Sequence, residues 1–207
     1  MLEMKLIQYK SIQIYVFPSP TNNNSNEYAS QLYENGIKNI IHFNQLEYNT
    51  DVFIKQKIQF YNLSFADGGT PSSEQLLDWL SLIETFFGSP STKGMEVTSL
   101  PTPNVKNTRE TIRSEPQNNP HITQDVTLLS DSIPIAVHCK ASLGRAPLMI
   151  TIALIYFGMD EFDAIEYIRK QIPGSLNSKQ LKYLESNHTQ IKKSGKSNKK
   201  SKGCIVS

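Results

Sequence analysis

Cys139 and Arg145, with five residues between them, are the pair in this 207-residue chain whose types and spacing could do chemistry together. The run reads Pro134-Ile-Ala-Val-His138-Cys139-Lys140-Ala141-Ser142-Leu143-Gly144-Arg145-Ala146-Pro147, and the apolar stretch Leu148 to Phe157 follows. It describes a short β-branched strand that turns at the cysteine and resumes as a helix. Pro147 falls in that helix's first turn, where its missing N–H costs nothing and its fixed φ helps. A lone cysteine at a strand end is most often an inert core residue. This one is followed by a loop that, wrapped at a helix N-terminus, turns the backbone N–H groups of Lys140, Ala141, Ser142, Leu143 and Gly144 toward one spot. That spot suits a phosphate dianion, because the amides and the helix dipole both favour negative charge. The same field favours the thiolate of Cys139, the nucleophilic form of a thiol. The planar fork of Arg145 can grip two phosphate oxygens. The stretch therefore predicts a phosphate-transfer site with a cysteine nucleophile. His138, beside it, is expected to orient the loop and tune the thiolate.

Cleaving a phosphoester with a thiolate also requires a proton for the leaving oxygen. Asp67, in Ser64-Phe-Ala-Asp67-Gly-Gly69, is the candidate general acid, on a loop that follows an apolar strand. No cofactor and no metal ion is expected, and no nucleic-acid partner.

The elements that must position these residues alternate. Ser11 to Phe17 reads as a strand ended by Pro18 and Pro20, and the Asn-rich turn from Asn22 to Asn26 can cap a helix from about Glu27 to Glu34. Ile37 to Phe43 and Ile58 to Leu63 are continuous apolar strands, as expected when both sheet faces are covered. Ser72 and Gln75 form a capping box ahead of a helix over Glu74 to Phe87. Leu76, Leu80, Ile83 and Phe87 fall on one face of it, and Trp79 and Phe86 read as core. Glu161 to Gln171 predicts an amphipathic helix with Phe162, Ile165 and Ile168 on one face, and Ser178 is expected to cap a last short helix. The fold class is α/β, a central mostly parallel sheet flanked by helices.

Residues 88–132 break the pattern. Prolines, Ser, Thr and Asn replace large apolar residues, and the stretch reads as a low-complexity, disordered insertion in a domain spanning 8–188. The 38% apolar content is low for a fully packed chain and fits such a segment. Two cysteines are too few for a disulfide framework and fit a reducing compartment. No cleaved leader is expected at the N-terminus, and the longest apolar run is too short to span a bilayer. Net charge is +2, but lysines 192, 193, 196, 199, 200 and 202 concentrate the positive charge in a tail over 189–207. That tail ends in Cys204-Ile-Val-Ser207, a prenylation pattern whose final Ser favours farnesyl. Lipid plus a polybasic segment would bind anionic inner-leaflet lipids stably, where one chain alone would not. The expected location is the cytoplasmic face of the plasma membrane and endosomes, with unprenylated protein in the cytoplasm or nucleus.

With these residues in view, the chain resembles the PRL family (phosphatases of regenerating liver, or protein tyrosine phosphatase type IVA). The resemblance covers roughly Ser11 to Glu185 apart from the insertion, and the last four residues. Its best stretches are Asp67-Gly68 with Pro71-Ser72, Asp78-Trp-Leu-Ser-Leu82, Ala136-Val-His-Cys139, Leu143-Gly-Arg-Ala-Pro147 and Asn177-Ser-Lys-Gln-Leu181. Ala146 is telling, since most cysteine phosphatases place a hydroxyl there to help the thiolate leave. The resemblance implies a dual-specificity-type cysteine phosphatase fold, Cys139 as nucleophile, Arg145 on phosphate and Asp67 as acid. It implies phosphotyrosine substrates, with phosphoserine and phosphothreonine as further candidates, self-association, and docking on cyclin-M-type magnesium transporters. The chain departs from the family at three places. Of two acid-loop aspartates only Asp67 survives, Ser142 stands where the signature has its first Gly, and Asn44 stands at the resolving cysteine. Ala146 and Ser142 argue for slow turnover, so a weakly active binding module is the alternative to an efficient enzyme.

Overall fold

The computed structural model describes residues 3–90 and 133–197. Lys5–Tyr9 (β1) and Ile12–Pro18 (β2) form an antiparallel hairpin, and Ser25–Glu34 (α1) leads to Asn39–His42 (β3). Asp51–Lys55 (α2), Gln59–Asn62 (β4) and Ser73–Phe87 (α3) follow. Beyond 91–132 the chain continues as Ile135–Cys139 (β5), Arg145–Tyr156 (α4), Glu161–Gln171 (α5) and Ser178–Ser197 (α6). The five strands lie in the order β1-β2-β5-β3-β4, parallel except for the β1–β2 pair. The expected α/β architecture with a mostly parallel sheet is what forms.

Helices cover both faces, which is why β3 and β5 are buried along their whole length. On one face Phe17, Ile40 and Ala136 pack with Tyr28 and Leu32 of α1 and Phe53 of α2. On the other, Ile41, Val137 and Cys139 pack against α3 to α6. α4 sits at the centre of this second layer with every residue buried. The Ser72–Gln75 capping box starts α3, and Trp79 is fully buried with its indole N–H on the Met149 carbonyl (2.8 Å). Because side chains alternate along a strand, β5 sends His138 and Cys139 to opposite layers.

Three expectations change. β1 is an extra strand, joined to β2 by a two-residue turn at Lys10 and Ser11 with Lys10 at φ +51. The turn carries no Asn or Gly to announce its left-handed residue. Phe162 is 78% exposed, because the inward position in the first turn of α5 belongs to Glu161, whose carboxylate meets His188 at 3.0 Å. The last helix is not short and is capped by Asn177 rather than Ser178, since Asn177 Oδ1 takes the Gln180 N–H (2.9 Å). It carries Lys192 and Lys193. Most of the proposed insertion and the end of the tail, including Cys204, lie outside the described residues.

Candidate active site

The loop from Cys139 to Arg145 is shaped by its carbonyls. Ser19 donates its N–H to the Cys139 and Lys140 carbonyls (2.9 and 3.1 Å), and Leu176 donates to Leu143 (3.0 Å). Leu148, inside α4, donates to Gly144 (3.0 Å). With these carbonyls held by neighbouring elements, the N–H groups of Lys140, Ala141, Ser142, Leu143 and Gly144 meet no acceptor among the described residues. An arc of open N–H groups at the start of an apolar helix is an anion receptor. Cys139, 3% exposed and reduced, sits at its base. Ser142 takes φ +51, a conformation costing an L-residue on the order of 1 kcal/mol. Its hydroxyl donates to the Phe17 carbonyl, a bond that offsets part of that strain.

Arg145 begins α4 and is nearly buried. Nη1 donates to the carbonyls of Phe43 and Phe65, both at 3.1 Å, and Nη2 lies 3.1 Å from Asp67 Oδ1. Nε is buried with no partner among the described residues. The guanidinium is thus fixed chiefly through Nη1, and its Nε–H and second Nη2–H have no partner among the described residues. Asp67 has its side chain 81% exposed, so this ion pair is screened and fixes geometry more than it adds stability. A phosphate in the loop would compete with Asp67 for the guanidinium and leave the carboxyl beside the ester oxygen. The acid loop turns tightly behind Asp67. Gly68 takes φ +64, and a Cβ at Gly69 would fall 2.8 Å from the Ala66 carbonyl oxygen.

His138 is fully buried, and its Nε2 hydrogen-bonds the Tyr48 hydroxyl at 2.9 Å. Burial, with the parallel His42 ring 6.0 Å away, lowers its pKa to about 3. It is a neutral imidazole in the aromatic layer opposite Cys139. It steadies the strand that carries the cysteine and lends no positive charge to the thiolate, which corrects the tuning role expected of it. Lys140 points outward toward Glu47 (3.7 Å), and Ala146 is fully buried with no hydroxyl to offer. Asn44 is buried, its amide NH₂ on the Gln45 carbonyl (2.7 Å).

The structure brings Arg145 of α4 and Asp67 of the loop after β4 together at 3.1 Å, at the far end of the loop that leaves β5 at Cys139. The sequence reading missed Asn177 and Gln180, whose side chains reach the acid loop from the start of α6. Their N-cap and N3 spacing was the available signal. Among the described residues no group of His, Cys, Asp and Glu is arranged to hold a metal.

No protein-family model matches the chain. Protein tyrosine phosphatase type IVA 2 of mouse is 29% identical over 179 residues, covering 86% of this chain and 83% of that protein. Human type IVA 3 is 28% identical over 179 residues, covering 86% and 80%. The Drosophila melanogaster PRL-1 phosphatase is 28% identical over 180 residues, covering 87% and 80%. Among solved structures, a protein tyrosine phosphatase of Leishmania major superposes with a TM-score of 0.61 at 22% identity, covering 93% of this chain and 98% of that one. Kinase associated phosphatase, with serine replacing its catalytic-site cysteine, gives 0.63 at 15% identity, covering 92% and 96%. These structures share the fold.

Proposed function

We propose, from the premise that this chain is a cysteine-dependent protein tyrosine phosphatase of the PRL (type IVA) kind, that it hydrolyses phosphotyrosine through a covalent phosphate on Cys139. The observation that carries this is the run of N–H groups from Lys140 to Gly144 that meets no acceptor among the described residues, between Cys139 and an Arg145 whose Nε is likewise unpartnered there. The Cys139 thiolate attacks phosphorus, the P–O bond to the tyrosine breaks, and the leaving oxygen takes its proton from the Asp67 carboxyl. Water then attacks the phosphocysteine and gives its proton to the Asp67 carboxylate. Inorganic phosphate leaves and the thiolate is restored. Ala146 supplies no hydroxyl to ease that departure, so the second step is the slower one. Phosphate release from a phosphotyrosine peptide, abolished by Cys139→Ser, is the test. Equal release by the serine variant would overturn the reading.

Ala146 and the strained Ser142 also favour a second reading, a module that binds in this pocket and turns over slowly, with cyclin-M-type magnesium transporters as the partner the resemblance implies. Saturable binding without Cys139-dependent phosphate release would select it. In either case the Lys-rich end with Cys204 supports attachment to anionic membranes through a farnesyl group. Among the described residues no helix is long and apolar enough to cross a membrane. Cys204→Ser is expected to move the protein from the membrane fraction to the soluble one, and a wild type already soluble in prenylating cells would contradict the anchor.

A further inference from the structure

Asn177 and Gln180 use both ends of their side-chain amides. Their acceptor ends cap α6: Asn177 Oδ1 takes the Gln180 N–H (2.9 Å), and Gln180 Oε1 takes the Asn177 N–H (3.1 Å). This is the reciprocal box usually built from Ser or Thr with Glu. Here both members are amides, so each keeps an NH₂ group that a Ser–Glu box would lack. Both NH₂ groups reach the acid loop. Asn177 Nδ2 donates to the Gly68 carbonyl and Gln180 Nε2 to the Gly69 carbonyl, each at 3.1 Å. These are the two residues directly after Asp67. Gln180 is fully buried, so its bonds are made out of water, where they are stronger and where losing them costs more.

The segment leading into this box is itself fixed. Leu176, buried, takes φ +65, a strained conformation for a leucine. It is held there by its N–H on the Leu143 carbonyl (3.0 Å) and by Arg169 Nη2 on its own carbonyl (3.2 Å). Arg169 Nε reaches the Ser175 carbonyl (3.4 Å). One short stretch thus touches the nucleophile's loop through Leu143 and the acid's loop through Gly68 and Gly69.

The acid loop needs such support. Two successive glycines leave it with much conformational entropy to lose, and Phe65, against Phe43 at 6.2 Å, is its apolar anchor. Its ties to Arg145 are the Phe65 carbonyl on Nη1 and the Asp67 ion pair, and a bound phosphate would take over the second. Once that happens, the two amide bonds hold Asp67 beside the leaving group. We infer that Asn177 and Gln180 are positioning residues for the acid, a clamp that registers the Asp67 loop against the Cys139 loop through the cap of α6. The inference rests on the reading of Asp67 as the acid.

Gln180→Glu and Asn177→Asp separate the clamp from the cap. Each keeps the oxygen that caps α6, and a carboxylate suits a helix N-terminus, but each loses the donor and faces a carbonyl with oxygen. Amide hydrogen exchange over residues 64–69 should rise about tenfold, the worth of one such bond, while the first turn of α6 keeps its protection. With aryl phosphates of weakly acidic phenols, kcat/KM should fall about tenfold. With an activated aryl phosphate it should change by no more than about twofold. In an Asp67→Ala background, Gln180→Glu should add no further loss. Vanadate affinity should hold, since the clamp acts on the Asp67 loop and not on the oxyanion. Equal losses across the leaving-group series, a full additive loss without Asp67, lost vanadate affinity, or unchanged exchange over 64–69 would each overturn the clamp. Absence of Cys139-dependent turnover in the wild type would instead count against the phosphatase reading, and the exchange result would still decide whether the clamp exists.

Discussion

The Cys139 loop and the Asp67 loop, which meet through the Arg145–Asp67 ion pair, are held by different means. The Cys139 loop is fixed by backbone: its carbonyls take N–H groups from Ser19, Leu176 and Leu148, and it runs from a central strand into a fully buried helix. The Asp67 loop has one backbone bond to the chain after β3, from the Phe65 N–H to the Phe43 carbonyl (3.4 Å). It is otherwise fixed mainly by side chains of other elements, Arg145 from α4, Asn177 and Gln180 at the start of α6, and Gln75 of α3 on the Ser64 carbonyl at 2.7 Å. A receptor for charge must be preorganised before substrate arrives, because its worth comes from dipoles that need no rearrangement. In the proposed mechanism Asp67, as the acid, would instead exchange partners, giving up Arg145 as phosphate enters. A loop tied by replaceable side-chain contacts can do that; one woven into the sheet cannot.

The comparison predicts that damage to the first loop removes binding and chemistry together. Arg145→Lys keeps the charge but loses the planar fork and its bonds to Phe43 and Phe65. Turnover should drop on the order of 10²–10³-fold, as when one oxyanion donor is lost. Vanadate affinity, read by titration, should fall with it. Damage to the second loop should remove chemistry alone. Asp67→Ala is expected to cost about 10²–10⁴ in kcat with weakly acidic leaving groups, to cost far less with activated ones, and to leave vanadate affinity intact. A fall in both for Asp67→Ala would dissolve the distinction.

His138 sharpens the comparison from beneath the first loop. It stays neutral in the folded chain down to about pH 3, whereas an unfolded histidine takes a proton near 6.5. Protons therefore favour the unfolded state between those values. Stability should be flat above about pH 6.5 and fall as pH drops from there, by up to about 1.4 kcal/mol per unit. Denaturant midpoints between pH 7 and 5 check the slope, and His138→Gln should reduce it to the part that His42, its pKa also lowered by burial, contributes. The smallest effect belongs to Ser142. Ser142→Gly removes the left-handed strain together with the bond to Phe17, two changes of about 1 kcal/mol each in opposite directions. Ser142→Ala keeps the strain and loses the bond. Thermal denaturation should rank Ala about 1 kcal/mol below both wild type and Gly.

Much of this was legible in the sequence, for physical reasons. The strand, loop and helix around Cys139 are local, written in β-branched residues, a five-residue spacing and a proline in the first turn. The α3 box at Ser72 and Gln75 is equally local, and α3 starts where it predicts. What escaped depends on distant partners or on unmarked backbone. β1 exists because β2 offers it a ladder, and its turn runs through a left-handed lysine. Phe162 faces solvent because Glu161 finds His188 twenty-seven residues on. The neutrality of His138 depends on a layer made by Phe17, Tyr48 and His42, which no motif around Cys139 contains. The reach of Asn177 and Gln180 to Gly68 and Gly69 spans more than a hundred residues of chain.

The central claim is that the open N–H arc and Arg145 hold a phosphate while Cys139 takes it up covalently. Rapid acid quench of the protein with a phosphotyrosine peptide, followed by mass spectrometry of the peptide containing Cys139, tests it most directly. The account predicts a burst of released tyrosine peptide matched by phosphate on Cys139. That adduct should persist because Ala146 offers no hydroxyl to speed its hydrolysis, and it should be absent in Cys139→Ser. Turnover of the substrate with no phosphate on Cys139 at any quench time, or turnover retained by Cys139→Ser, would contradict it.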